Sequence, residues 1–142
     1  MGLIIDTSVL VSSERRGRNA RQALVDLVPQ GVEIGVSVVT ALELAHGVER
    51  ANTSPRKTTR QLFLNDLLQS LPIYPVTVPI ALRAGRLDGL LAAQGIRIDL
   101  ADLLIAATAL ELGYEVLTDN VKHFERIPQL LLSQLRQSTS PM

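Results

Sequence analysis

Residues 2–10 read GLIIDTSVL. Gly2 to Ile5 form the short apolar run of a buried strand. The run ends on a carboxylate, Asp6, and two hydroxyls follow, Thr7 and Ser8. A strand bound for a core that stops at an acid has two readings. Asp6 caps the helix that follows, or it carries chemistry at the end of the strand. The rest of the chain bears on the choice.

Apolar periodicity and breakers divide the sequence into alternating elements. TSVLVSS (7–13) reads as a helical turn, and NARQALVDLV (19–28) as a helix stopped at Pro29-Gln30-Gly31. VEIGV (32–36) is a second strand. Ser37 caps VVTALELAHGVERA (38–51), with Val38, Leu42, Ala45 and then Val48 or Glu49 along one side. Pro55 suits the first position of the helix PRKTTRQLFLNDLLQSL. IYPV (73–76) is a third strand, placed at a sheet edge by Pro75. PIALRAGRLDGLLAAQG closes at Gly95, and Asp99 caps LADLLIAATALELG, which closes at Gly113. YEVLT (114–118) is a fourth strand, DNVKHFERIP a loop with a helical turn, and QLLLSQL (129–135) a last strand or helix. The expected organisation is one domain over residues 1–133 and a polar tail over 134–142. Strands alternating with helices give an α/β domain with a mainly parallel sheet.

In such sheets ligands gather outside the carboxyl ends of the strands. Asp6 and Asp119 follow strands and belong on that rim. Helices run antiparallel to the strands they cover, so Asp102, in a first helical turn, belongs there too. Glu43, about two turns into its helix, is within reach. Each acid has an ordinary explanation alone: Asp6 and Asp102 as capping acids, Glu43 as a helix-surface residue, Asp119 as a turn residue. Together they suggest a carboxylate cup. Asp102 is the sharpest case, because its neighbours at i+3, i+4 and i+7 are Ile105, Ala106 and Ala109. A carboxylate among apolar groups is costly unless paired. A hard divalent cation, Mg²⁺ or Mn²⁺, relieves the repulsion, takes oxygen ligands and bridges to phosphate. Cups of this kind perform metal-assisted phosphodiester hydrolysis.

Other chemistries lack their residues. There is no cysteine, so thiolate metal sites and cysteine nucleophiles are excluded. No phosphate-binding glycine loop and no Gly-x-Ser-x-Gly elbow occurs. An aspartyl-nucleophile phosphatase needs Asp-x-Asp after the first strand, where this chain has Asp6-Thr7-Ser8. The only histidines, His46 and His123, lie on different segments and read as surface residues. Hydrophobic residues make up 46% of the 142 and mean hydropathy is +0.23, which excludes disorder as the main state. The start carries no basic n-region and no apolar run spans a bilayer, so a cytoplasmic protein is expected. Fourteen basic and fourteen acidic residues balance, which excludes a general nucleic-acid-coating protein. Basic residues still cluster in ERRGRNAR and RKTTR, where Arg15, Arg16, Arg18 and Arg21 are candidate phosphate contacts.

The order IIDTSVL, SVVTALELAHGVERA, IRIDLADLLIAATALELG, VLTDNVKHFERIP resembles the PIN-domain ribonucleases, and most closely the VapC-type toxins of bacterial toxin–antitoxin pairs. The resemblance runs from residue 3 to about residue 130. It implies a PIN-like three-layer domain with four or five mainly parallel strands flanked by helices. It implies a Mg²⁺- or Mn²⁺-dependent endoribonuclease, a homodimer, and inhibition by a VapB-type antitoxin whose C-terminal segment crosses the active-site groove. Asp6, Glu43 and Asp102 match the first three metal-binding acids. The fourth lies in the turn after the last strand or shortly beyond, where Asp119 is the acid available, with Asn120 beside it and His123 where some members have aspartate. Asp99 stands where the family more often has a small residue or proline, so no role passes to it. Thr7, Ser8, Thr118 and Asn120 are candidates to orient the carboxylates or their waters. Helices near residues 37–70, with RKTTRQLFLNDLL, offer the basic and apolar groups an antitoxin needs. With two Tyr, two Phe and no Trp, stacking platforms are scarce, so RNA recognition leans on phosphates and shape. Two other readings stay open: a catalytically silent PIN-fold module that binds protein or RNA, and a metal-dependent phosphatase.

Overall fold

The structure is a computed structural model that describes residues 2–133. Four strands, β1 (Gly2–Ile5), β2 (Glu33–Ser37), β3 (Ile73–Tyr74) and β4 (Glu115–Leu117), lie in the order β3-β2-β1-β4, all parallel. Ile4 registers with Gly35 on one side and Val116 on the other, and β3 is an edge strand as Pro75 demands. Beyond β4, Leu132 makes a single parallel bridge to Val116. Residues 134–142, and with them the expected polar tail, lie outside the described residues.

The helices among the described residues are α1 (Thr7–Arg15), α2 (Ala20–Leu27), α3 (Val38–Glu49), α4 (Ser54–Ser70), α5 (Val78–Ala93), α6 (Leu100–Leu112) and α7 (Val121–Phe124). None is long and apolar enough to cross a membrane. Side-chain alternation along the strands supplies a core on each face of the sheet. Ile4 and Val116 point to one face, where α5, α6 and α7 contribute Leu87, Leu91, Leu103, Ile105 and Phe124. Ile5, Val36 and Leu117 point to the other, where α1, α2 and α4 contribute Val9, Leu10, Ala20, Phe63 and Leu67. The result is the three-layer arrangement expected.

Local signals place most boundaries. Ser37 caps α3 by accepting from the Val39 amide at 3.1 Å. Gly113, at φ +71°, closes α6 in the left-handed conformation that costs glycine least. Four sequence expectations need correction. The segment after Asp6 is a nine-residue helix and not a single turn. Thr53 caps α4, which makes Pro55 its second residue and not its first. Asp99 stands at the cap position of α6, but its side chain makes no capping bond. Along the side through Val38, Leu42, Ala45 and Val48 or Glu49 of α3, only Val48 is buried, with Leu42 68% exposed, while Val39 and Thr40 are buried beside it. Apolar residues surround α3 on several sides, so period alone does not select the buried face. Packing against the sheet and the neighbouring helices selects it.

Two tyrosines cover two glycines of the sheet. A Cβ at Gly2 would lie 2.5 Å from the ring of Tyr114, and one at Gly35 would lie 2.4 Å from the ring of Tyr74. The rings meet edge to face at 6.3 Å, and the Tyr114 hydroxyl donates to Glu33 at 2.7 Å. These contacts tie the strands of the sheet together.

Candidate active site

Asp6 leaves β1 with its amide still in the ladder, donating to the carbonyl of Leu117 at 2.9 Å. Its backbone occupies the cap position of α1, but its side chain makes no capping bond. The capping explanation of Asp6 therefore fails. Asp6 is 2% exposed as a residue, and its carboxylate accepts from Ser8 Oγ at 2.7 Å and from Thr118 Oγ1 at 2.8 Å, both at Oδ2. Among the described residues no buried side-chain nitrogen or oxygen lacks a partner. Since no bond falls on Oδ1, that oxygen reaches the open cleft.

Glu43 is carried toward the same rim by α3. Thr7 donates to Glu43 Oε1 at 2.7 Å and contacts Thr40 Oγ1 at 2.9 Å, which joins the first turn of α1 to α3. Asp102 enters from the first turn of α6 with a side chain 15% exposed. Burial lifts its carboxyl above the usual carboxylate range. The charge of Asp6 lifts it further, while the hydrogen bond and charge of His123 pull the other way. His123 Nδ1 lies 3.3 Å from Asp102 Oδ2. Asp119 follows β4, and its amide donates to Ser8 Oγ at 3.1 Å. The Asn120 amide donates to Thr118 Oγ1 at 2.9 Å, which fixes that hydroxyl toward Asp6.

Asp6, Glu43, Asp102 and Asp119 all line one cleft of about 520 Å³, with Thr7, Ser8, Asn120, Arg15 and Arg16. Of the candidate phosphate contacts, Arg15 and Arg16 line the same cleft as the acids. Arg18 instead pairs with Asp26. Sequence reasoning missed Thr40 and the approach of His123 to Asp102. The first had a signal, because Thr40 precedes Glu43 by one helical turn. The second depends on how α7 folds back against α6, which no local pattern records.

The donor set in the cleft is all oxygen, which suits a hard divalent cation with retained waters. The two hydroxyls holding Asp6 are the support that ligating carboxylates need. Among the described residues, however, no three Asp, Glu or His side chains are already gathered into a metal cage. Asp6, Glu43 and Asp102 each rest against a local partner. The residues fit a cation by chemistry and by shared cleft, and ligation by several of them takes side-chain rotation.

Comparison with known proteins points to one family. Residues 3–130 match the PIN domain family. The chain is 34% identical over 130 residues to a Rickettsia felis protein described as Ribonuclease VapC1, covering 92% of this chain and 93% of that protein. It is 33% identical to Ribonuclease VapC19 of Mycobacterium tuberculosis, covering 89% and 95%. Among solved structures, the VapBC2 complex of Rickettsia felis bound to a promoter DNA fragment superposes with a TM-score of 0.81 at 27% identity, covering 94% of this chain and 98% of that one. With the acids of four separate segments lining one cleft at the strand ends, the chain belongs to the PIN-domain family, among the VapC ribonucleases.

Proposed function

We propose that this protein is a divalent-metal-dependent endoribonuclease and the toxin of a toxin–antitoxin pair. The observation that carries the reading is the shared cleft of Asp6, Glu43, Asp102 and Asp119, in a chain whose relatives are named as ribonucleases. These four acids would hold Mg²⁺ or Mn²⁺, which supplies an activated water and charge neutralisation at the phosphate. The chain's own groups do the rest. Asp6, buried and held by Ser8 and Thr118, gives a fixed oxygen at the base of the cleft. Thr7 orients Glu43. Arg15 and Arg16 meet the phosphates of an RNA strand entering beside α1. A catalytically silent module is not favoured, because none of the four acids is missing.

The antitoxin of the proposed pair is a VapB-type protein, as in the solved VapBC complex. Its docking site is supported by a hollow of about 190 Å³ between α1, α3 and α4, lined by Val11, Leu44, Gly47, Arg60 and Phe63. That hollow shares Val11, Arg15 and Glu43 with the acidic cleft. A segment that seats an apolar side chain there therefore continues across the acids. Arg60 is held in place by donating to the carbonyl of Gly47 at 2.7 Å. A homodimer in the cytoplasm completes the reading. It is supported by apolar side chains left exposed on α3 and α5, among them Leu42, Val78 and Leu82, and a monomeric mass in solution would count against it.

The test is cleavage of an end-labelled RNA in Mg²⁺ and in Mn²⁺. Asp6→Asn and Asp102→Asn are each expected to lower the rate by about a hundredfold or more while circular dichroism stays unchanged. Undiminished cleavage by both variants overturns the reading.

A further inference from the structure

A second hollow, of about 130 Å³, adjoins the acidic cleft and is lined by Arg97, Ile98, Asp99, Asp102, His123 and Arg126. Asp102 is the one residue that lines both spaces. We propose that Arg97 and Arg126 form a second phosphate subsite for the RNA strand, across Asp102 from Arg15 and Arg16. This inference rests on the nuclease reading and extends it to the path of the substrate.

The two arginines arrive from separate segments, the loop before α6 and the turn after α7. Each is pinned by apolar neighbours. Ile96 and Ile98 pack against the core and leave Arg97 exposed between them. Phe124 and Ile127 are buried on either side of exposed Arg126. Neither guanidinium has a carboxylate partner among the described residues, whereas Arg18, Lys57 and Arg83 each pair with an acid. Asp99 shares the hollow and offsets one of the two charges, and Asp102 belongs to the proposed cation site. A net cation thus remains at the far rim.

A strand whose scissile phosphate lies over the acids must carry phosphates onward in both directions. Arg15 and Arg16 meet one direction. The other leads over Asp102 into this hollow. Guanidinium forks match phosphate oxygens, and no Tyr or Phe lines the space to stack a base. An acidic peptide would satisfy the same arginines, but the hollow opens directly onto Asp102, where RNA must already lie.

The experiment measures binding of a fluorescent single-stranded RNA to Asp6→Asn protein as a function of salt. Arg97→Gln with Arg126→Gln is expected to weaken binding roughly tenfold at low salt and to reduce the slope of log K against log [salt] by about 1.4, the value for two contacts to single-stranded RNA. The paired lysine substitutions are expected to keep most of the slope. In the active protein the Gln pair raises KM more than it lowers kcat, and Arg86→Gln, an exposed cation on α5, changes neither. An unchanged slope and affinity overturn the subsite. So does unchanged RNA binding with lost antitoxin capture, which would give the arginines to the protein partner. Failure of the unaltered protein to cleave RNA in either metal overturns the nuclease reading itself, and the subsite with it.

Discussion

The half-buried carboxylate of Asp102 has a measurable consequence. Its native pKa is raised, chiefly by burial and then by Asp6, so the folded state holds a proton more tightly than the unfolded chain. Stability therefore falls as pH rises from the unfolded value, about 4, through the raised native value, and stays at the lower level above it. With EDTA present, Asp102→Asn is expected to melt at a higher temperature than the unaltered protein at pH 7. The gap is expected to close as pH falls toward about 4. A variant that melts lower at pH 7 would show that His123 already compensates the charge. Much at this scale was legible in the sequence. A carboxylate at a strand end, one in an apolar helical turn and one after the last strand need only periodicity to place them at a common rim. What lay out of reach were pairings between segments: Thr7 with Thr40 and Glu43, Thr118 with Asp6, His123 with Asp102. Sequence spacing carries no record of which hydroxyl reaches which acid across more than thirty residues.

Elements were read well where capping and turn chemistry is local, as at Ser37 and Gly113. The reading failed where tertiary packing chooses between equivalent faces. α3 has apolar residues on more than one side, and the stripe through Val38 and Leu42 was the natural choice by period, yet it faces outward. The buried side instead presents Val39 and Thr40, and Glu43 follows Thr40 by one turn toward the cleft. The sheet shows a related limit. Its glycines look like weak points in strands, but Gly2 and Gly35 are where the rings of Tyr114 and Tyr74 press against the backbone. Gly35→Ala must displace an aromatic ring packed on the face of the sheet, and the new Cβ also meets the carbonyl of Pro72 at 3.1 Å. Denaturant unfolding is expected to show a loss of about 1–3 kcal/mol. A change below half that size would mean that Tyr74 moves aside freely.

At the scale of the molecule, the parallel sheet order β3-β2-β1-β4 puts every strand's carboxyl end on one rim and buries an apolar layer on each face. Acids from the end of β1, from α3 and α6 and from the turn after β4 then share a cleft with Arg15 and Arg16, and an apolar hollow adjoins it. Such a constellation concentrates negative charge at a cost that a divalent cation offsets. Manganese titration followed by electron paramagnetic resonance tests that claim most directly, because free Mn²⁺ is counted without reference to any substrate. The unaltered protein is expected to deplete the free Mn²⁺ signal, and Asp6→Asn and Asp102→Asn are each expected to weaken that binding at least about tenfold. Equal binding by all three proteins, or none by any of them at millimolar metal, would contradict the account.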